Sequence, residues 1–339
     1  MLDLTLIITL AVVVLALIFD FINGFHDTAN SIATSVSTRV LSPGAAITMA
    51  AILNFLGAFI SVKVAKTIGS DIVDPGMIPQ TVVIATLLGA IIWNLITWYF
   101  GLPSSSSHAL IGGLLGAAIA FSGSFSIVNW SNFCAKILLW LFLSPCIGFG
   151  AGYFFMNILN FILRSWRPAA VTRVFSKAQI VSAALMALNH GGNDAQKSMG
   201  IITMALLSGG LIPQFHVPLW VKVTCALAMA LGTSFGGWRI IKTMGMNMAR
   251  LAPVNGFAAE TSAAAVIFTA TMLHSPVSTT HIISTSIMGV GAAKRFSSVR
   301  WAVAKDIVWA WVLTIPISAF LSALVFYLIR ALEIIFVDM

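Results

Sequence analysis

The chain has 339 residues, 59% of them hydrophobic and only 8% charged, and its mean hydropathy is +1.00. That composition excludes a soluble globular protein: apolar runs of about 20 residues, enough to cross a bilayer, recur from end to end and leave no room for a sizeable aqueous domain. The net charge of +8 does not point to nucleic acid, because the basic residues lie mostly in short connections, where they set membrane orientation instead.

Ten apolar segments are read in chain order, at 4–36, 44–62, 78–100, 104–121 and 132–160, then 178–206, 216–236, 254–272, 276–293 and 300–328. The first apolar run begins almost at Met1 with Asp3 and no basic flank, and is expected to remain as a span and not as a cleaved signal. The first and sixth segments are too long and too polar midway for plain spans, and the hydroxyl-rich ones suit re-entrant paths. The expected fold is an all-α polytopic membrane protein with about 10–12 transmembrane segments, some broken or re-entrant. Five segments occur twice, so residues 1–163 and 178–339 read as two repeats joined by a linker at 164–177. Cys134, Cys146 and Cys225 show no CxxC spacing and read as packing residues, implying neither disulfide nor metal.

Charge in matched loops gives orientation. Lys63 and Lys66 are balanced by Asp71 and Asp74, whereas Arg239, Lys242 and Arg250 stand unopposed in the corresponding loop. Residues 122–131 are uncharged, while Lys294, Arg295 and Arg300 occupy their counterpart, and the linker adds Arg164, Arg167, Arg173 and Lys177 without an acid. Positive charge marks the cytoplasmic side. The linker is therefore expected inside and both termini extracytoplasmic, in a multi-pass protein of the cell membrane. An odd number of crossings per half inverts the second repeat relative to the first, as in many secondary transporters.

Two motifs occur in each half. NGFHDTANSIATS (Asn23–Ser35) and NHGGNDAQKSMG (Asn189–Gly200) align on Asp27 and Asp194, 167 residues apart. GLPSSSSH and SPVSTTH align on Pro103 and Pro276, and on His108 and His281, 173 residues apart. In the latter pair a proline followed by hydroxyl residues predicts a helix start among Ser104, Ser105, Ser106 and Ser107, and again among Ser278, Thr279 and Thr280. Free N–H groups and the positive helix end there suit an oxyanion. In the Asp motifs, an intramembrane carboxylate is costly unless it is functional or paired. Gly24, Gly191 and Gly192 are expected to let the backbone unwind, so that freed carbonyls join Asn23, Asn30, Asn193 and Gln196 in an oxygen-rich cage for a hard cation. The alternative is that each Asp pairs with a buried base such as Lys197 or Arg39. Lys197 itself either answers the substrate's charge or neutralises Asp194. Glu260 ligates a cation, takes up a proton, or bonds a histidine on another helix. Asp20, one turn before Asn23, is a weaker candidate. His26, His108, His190 and His281 lie in the four motifs and make proton coupling plausible.

With these motifs the chain resembles the PiT family of inorganic phosphate transporters, and AIIWNLITWYFGLPSSSSHALIGG (Ala90–Gly113) is close to bacterial low-affinity members. The resemblance implies an inverted-repeat symporter and no enzyme, with no cofactor, that imports phosphate with H⁺ or Na⁺, with a metal–phosphate complex as a further form of the cargo. It places phosphate on Ser104–Ser107 and Ser278–Thr280, with Gln196 and Lys197 beside them. Asn23, His26, Asp27, Asn30, Asn193, Asp194 and Glu260 would serve cations or protons, with Asp27, Asp194 and Glu260 as Na⁺ ligands. His26 stands where many sodium-coupled members have Asn, which favours a proton or a divalent metal as companion. The partners implied are phosphate, these ions and the lipid bilayer; a homodimer is compatible with the sequence. The rival readings are a sulfate or other oxyanion transporter, a passive anion channel and an intramembrane serine hydrolase.

Overall fold

The computed structural model describes residues 4–337, and the extreme termini, on which the expected outside placement of both chain ends bears, lie outside the described residues. Helix α1 (Leu4–Ser37) is followed by α2 (Pro43–Gly57), the short α3 (Lys63–Lys66), α4 (Gln80–Phe100), α5 (Ser106–Ser122), the short α6 (Trp130–Phe133) and α7 (Leu139–Ile162). A second series runs α8 (Pro168–Ser208), α9 (Leu219–Phe235), α10 (Trp238–Lys242), α11 (Pro253–Met272), α12 (Thr279–Lys294) and α13 (Trp301–Val337). Because α8 begins at Pro168, most of the stretch read as a linker is helix.

Local chemistry explains these limits. Proline occupies the first turn of α2, α8 and α11, where its missing N–H is not needed. Gly101 and Gly123 end α4 and α5 with φ of 67° and 66°, which only glycine adopts freely. Small details recur in both series. An isolated bridge pairs Val73 with Val128, and another pairs Ala249 with Val299. The indole of Trp130 donates to the Phe125 carbonyl at 2.8 Å, and that of Trp301 to Phe296 at the same distance.

Five helices are by themselves long and apolar enough to cross a membrane: Thr5–Ser37, Gln80–Phe100, Trp130–Ser165, Pro168–Ser208 and Trp301–Ile334. Leu219–Phe235 with Trp238–Asn247, bent by 63°, makes a sixth. At 15 and 17 residues, α2 and α5 are too short to cross alone. The ten hydropathy segments thus resolve, among the described residues, into five or six full-length spans and shorter helices.

The two series are interleaved. α1 packs on α9 and α2 on α8, while α5 packs on α13 and α12 on α7. Small residues line these seams: Gly112 and Gly116 of α5 lie against Ser318 and Ala319 of α13, and Gly148 and Gly152 of α7 against Thr285 and Ser286 of α12. Close backbone approach is what holds helices together where lipid and side chains are equally apolar.

The breaks expected at the two Asp motifs are absent. α1 and α8 run as continuous helices through Asp27 and Asp194, so no carbonyls are freed there. Gly24 and Gly191 are crossing points instead. A Cβ on Gly24 would run into the Met229 carbonyl of α9, and one on Gly191 into the backbone of Asn54 on α2. Gly191→Ala should therefore lower the thermal unfolding midpoint in detergent, since backbone cannot move aside and overpacking costs about 1–3 kcal/mol or more. Gly150→Ala, where nothing lies within 4 Å of the new methyl, should leave it unchanged or raise it.

Candidate functional site

The hydroxyl runs start the helices predicted from them. Ser105 caps α5 and Ser278 caps α12, each side chain accepting from the N–H of the following histidine, His108 or His281, at 3.2 Å. These two hydroxyls are thereby turned onto their own helices, and Ser104, Ser106, Ser107, Thr279 and Thr280 are left for other partners. The two helix starts touch: Ser107 donates to the Val277 carbonyl at 3.2 Å, and the rings of His108 and His281 lie 4.9 Å apart.

The Asp motifs close around the same point. Asp27 is 2% exposed and Asp194 fully buried. Asp27 receives His26 Nδ1 at 2.7 Å, Ser106 Oγ at 3.3 Å and Thr280 Oγ1 at 3.5 Å. Asp194 is paired with Lys197 at 2.9 Å and meets Thr279 Oγ1 and His190 Nε2, each at 3.5 Å. Ligand atoms of Asp27, His190 and Asp194 all lie within 4.8 Å of one another. Behind them, His26 Nε2 and Ser104 both reach Thr97 Oγ1, at 3.1 and 2.8 Å. His190 Nδ1 is held by Asn54 at 3.2 Å, itself held by Thr233 at 2.9 Å, which leaves Nε2 aimed at Asp194.

The amides show what this centre lacks. Asn30 spends its NH₂ group on Thr280 and Thr279, at 2.9 and 3.2 Å, Asn193 on Thr271 at 2.9 Å, and Asn23 on the Met229 sulfur at 3.9 Å. Their three Oδ1 atoms, with Asp194 Oδ2, are buried without a donor. Buried acceptors are almost always satisfied, so these oxygens keep capacity for a further donor or a cation.

Two sequence-derived residues lie elsewhere. Gln196 is engaged away from the hydroxyl runs: its Oε1 accepts from the N–H groups of Val64 and Ala65, at 2.8 and 3.3 Å, and its amide donates to Gly192. It caps the start of α3, and both ends of its side chain are engaged. Glu260 is fully buried apart from the centre, bonded to Thr34 of α1 and to Ser182 and Gln179 of α8; none of its bonds is to a histidine. The bases resolve as well. Lys197 is the partner of Asp194, whereas Asp27 pairs with His26 in place of Arg39.

Thr97, Asn54, Thr233, Thr271, Thr34, Gln179 and Ser182 were not foreseen. Thr34, two turns along α1 from Asp27, was within reach of helical spacing; the others come from different helices and carry no local signal.

A model of the phosphate transporter family matches residues 23–170 and again 163–322. The chain is 52% identical over 331 residues to a probable low-affinity inorganic phosphate transporter of Bacillus subtilis (strain 168), covering 97% of this chain and 99% of that one. It is 51% identical to a protein of the same description in Rhizobium meliloti (strain 1021), covering 93% and 94% of the two chains. A solved structure titled the sodium-dependent phosphate transporter superposes with a TM-score of 0.85 at 26% identity, over 96% of this chain and 99% of that one. These proteins are transporters, which supports a transporter over the hydrolase reading. Two successive family matches, one in each helical series, and relatives that align end to end with it make this chain a member of the phosphate transporter family.

Proposed function

We propose that the chain is a secondary active symporter that imports inorganic phosphate together with H⁺ or Na⁺ by alternating access. The observation that carries this reading is that the carboxylates of Asp27 and Asp194 lie directly against two hydroxyl-lined helix starts, with the amide of Asn30 bonded to the second of them. Helix N-termini and hydroxyls favour a tetrahedral oxyanion. The adjacent Asp27 and Asp194 would repel it: like charges about 5 Å apart cost on the order of 3 kcal/mol at the effective dielectric of protein interiors. A cation bound among Asn23, Asp27, Asn30, Asn193 and Asp194 removes that penalty, so anion and cation load together. This thermodynamic reciprocity is coupling.

In this assignment Ser104, Ser106, Ser107, Thr279 and Thr280 contact phosphate, and Ser105 and Ser278 shape the two helix starts. Lys197 supplies positive charge to the anion while holding Asp194, and His26 orients Asp27. Glu260, with Thr34, Gln179 and Ser182, is a separate cation or proton position. The two series are inverted repeats, with both termini outside and the basic mid-chain turn in the cytoplasm. A channel needs no carboxylates beside an anion path, which argues for a carrier.

Uptake of phosphate into proteoliposomes with the Na⁺ and H⁺ gradients imposed separately tests the function, and accumulation under neither gradient would overturn it. Excess sulfate should compete poorly. Asp27→Asn and Asp194→Asn should each abolish gradient-driven accumulation while the protein still inserts and purifies; wild-type rates in both would remove the cation assignment. Ser106→Ala combined with Thr280→Val should raise the phosphate Kd by about tenfold or more, as each lost hydrogen bond is worth about 1 kcal/mol, measured by isothermal titration. Ser105 is the poorer choice for that experiment, because its removal also uncaps α5.

A further inference from the structure

Asp20 lies on α1 two turns before Asp27 and is fully buried. Neither of its carboxyl oxygens has a hydrogen-bond partner. The nearest base, Lys197 of α8, is committed to Asp194 at 2.9 Å. The polar groups facing Asp20 are the Ser198 hydroxyl of α8, itself without a hydrogen bond, and the Cys225 thiol of α9, and the charged groups whose fields reach it are the Asp194 carboxylate and the Lys197 ammonium, both of α8. α4, which also packs on α1, carries no acid, lysine, arginine, histidine or cysteine. Phe19, Ala195, Met199 and Ala226, on α1, α8 and α9, belong to the apolar core.

A bare carboxylate in such a place is strongly unfavourable, so a positive charge accompanies it. A hard metal ion gathers oxygen ligands on all sides, and a shell of one hydroxyl and one thiol does not provide them. A proton needs no such shell. Asp20, Asn23 and Asp27 follow one another at i, i+3 and i+7, along one face of α1, and the intervening Asn23 keeps its Oδ1 free. The position matching Asp20 in the second repeat, 167 residues on, is Ala187, so the feature occurs once and on one side of the centre. We propose that Asp20 is a proton-binding station that exchanges its proton with the Asp27–Asp194 centre through the face of α1 occupied by Asn23. The delivery role rests on the proposed ion-coupled transport; proton occupancy at Asp20 does not.

The test uses the purified full chain with Asp20→Asn and Asp20→Glu. In proteoliposomes, Asp20→Asn should keep phosphate counterflow in the absence of any gradient. It should lose ΔpH-driven accumulation by about tenfold or more, within the usual range of coupling effects, and Asp20→Glu should restore most of it. In detergent, infrared difference spectra across a pH titration should show a protonated-carboxyl C=O band in the wild type that is missing in Asp20→Asn. Unchanged ΔpH-driven accumulation together with an unchanged band in Asp20→Asn overturns the proposal, as does removal of the wild-type band by Na⁺ at fixed pH. Wild-type protein indifferent to ΔpH would sink proton-coupled transport alone, since loss of the band in Asp20→Asn would still establish the proton at this site.

Discussion

Two carboxylates, held within one cluster and cut off from solvent, set the terms for everything built around them. Asp27 and Asp194 have ligand atoms within 4.8 Å of each other and of His190, a separation at which their mutual repulsion is a sizeable fraction of a domain's net stability. His26 and Lys197 answer part of it at 2.7 and 2.9 Å. The same carboxylates also draw on the hydroxyls of Ser106, Thr279 and Thr280. In the proposed symport, carboxylate and incoming anion would want the same donors, and a bound cation would let the hydroxyls turn from one to the other. On that proposal, electrostatic competition for three hydroxyls becomes a condition on loading.

Such a centre has to be held by helices that approach closely without polar contacts to spare. The glycines do this. Gly24 brings α1 onto α9, and Gly191 brings α8 onto α2. Ser318 and Ser322 of α13 meet Gly112 and Gly113 of α5 in the same manner. With no hydrophobic drive between helices in lipid, contact of backbone with backbone is the available source of cohesion. The continuity of α1 and α8 through the Asp motifs is consistent with this, because an intact helix satisfies its own backbone groups at that depth.

Much of the site was legible because its chemistry is local. A proline followed by serines or threonines marks a helix start wherever it occurs, and Ser105 and Ser278 are the caps such a pattern demands. The duplication was legible from two constant offsets. What misled was glycine, which serves both to unwind a helix and to admit a neighbour; only the crossing helix decides between them, and Asn54 and Met229 are far from Gly191 and Gly24 in sequence. Gln196 was misplaced for a related reason, since its partner is the start of α3, more than a hundred residues earlier. The partners of Glu260 come from α1 and α8, so no spacing within its own segment could name them. Hydropathy also counted segments without seeing that α2 and α5 stop short of a bilayer's thickness.

The clamping of α5 by α13, and of α12 by α7, means that each hydroxyl-bearing helix is gripped by the last helix of the opposite repeat. A repeat is therefore a unit of ancestry and not of mechanics. In the proposed access cycle, any rigid piece that keeps these helix pairs together would be a chimera drawn from both copies. Severing the chain at its midpoint would yield two fragments, each missing the wall against which its own hydroxyl-bearing helix rests, and neither would hold the shape it has in the whole.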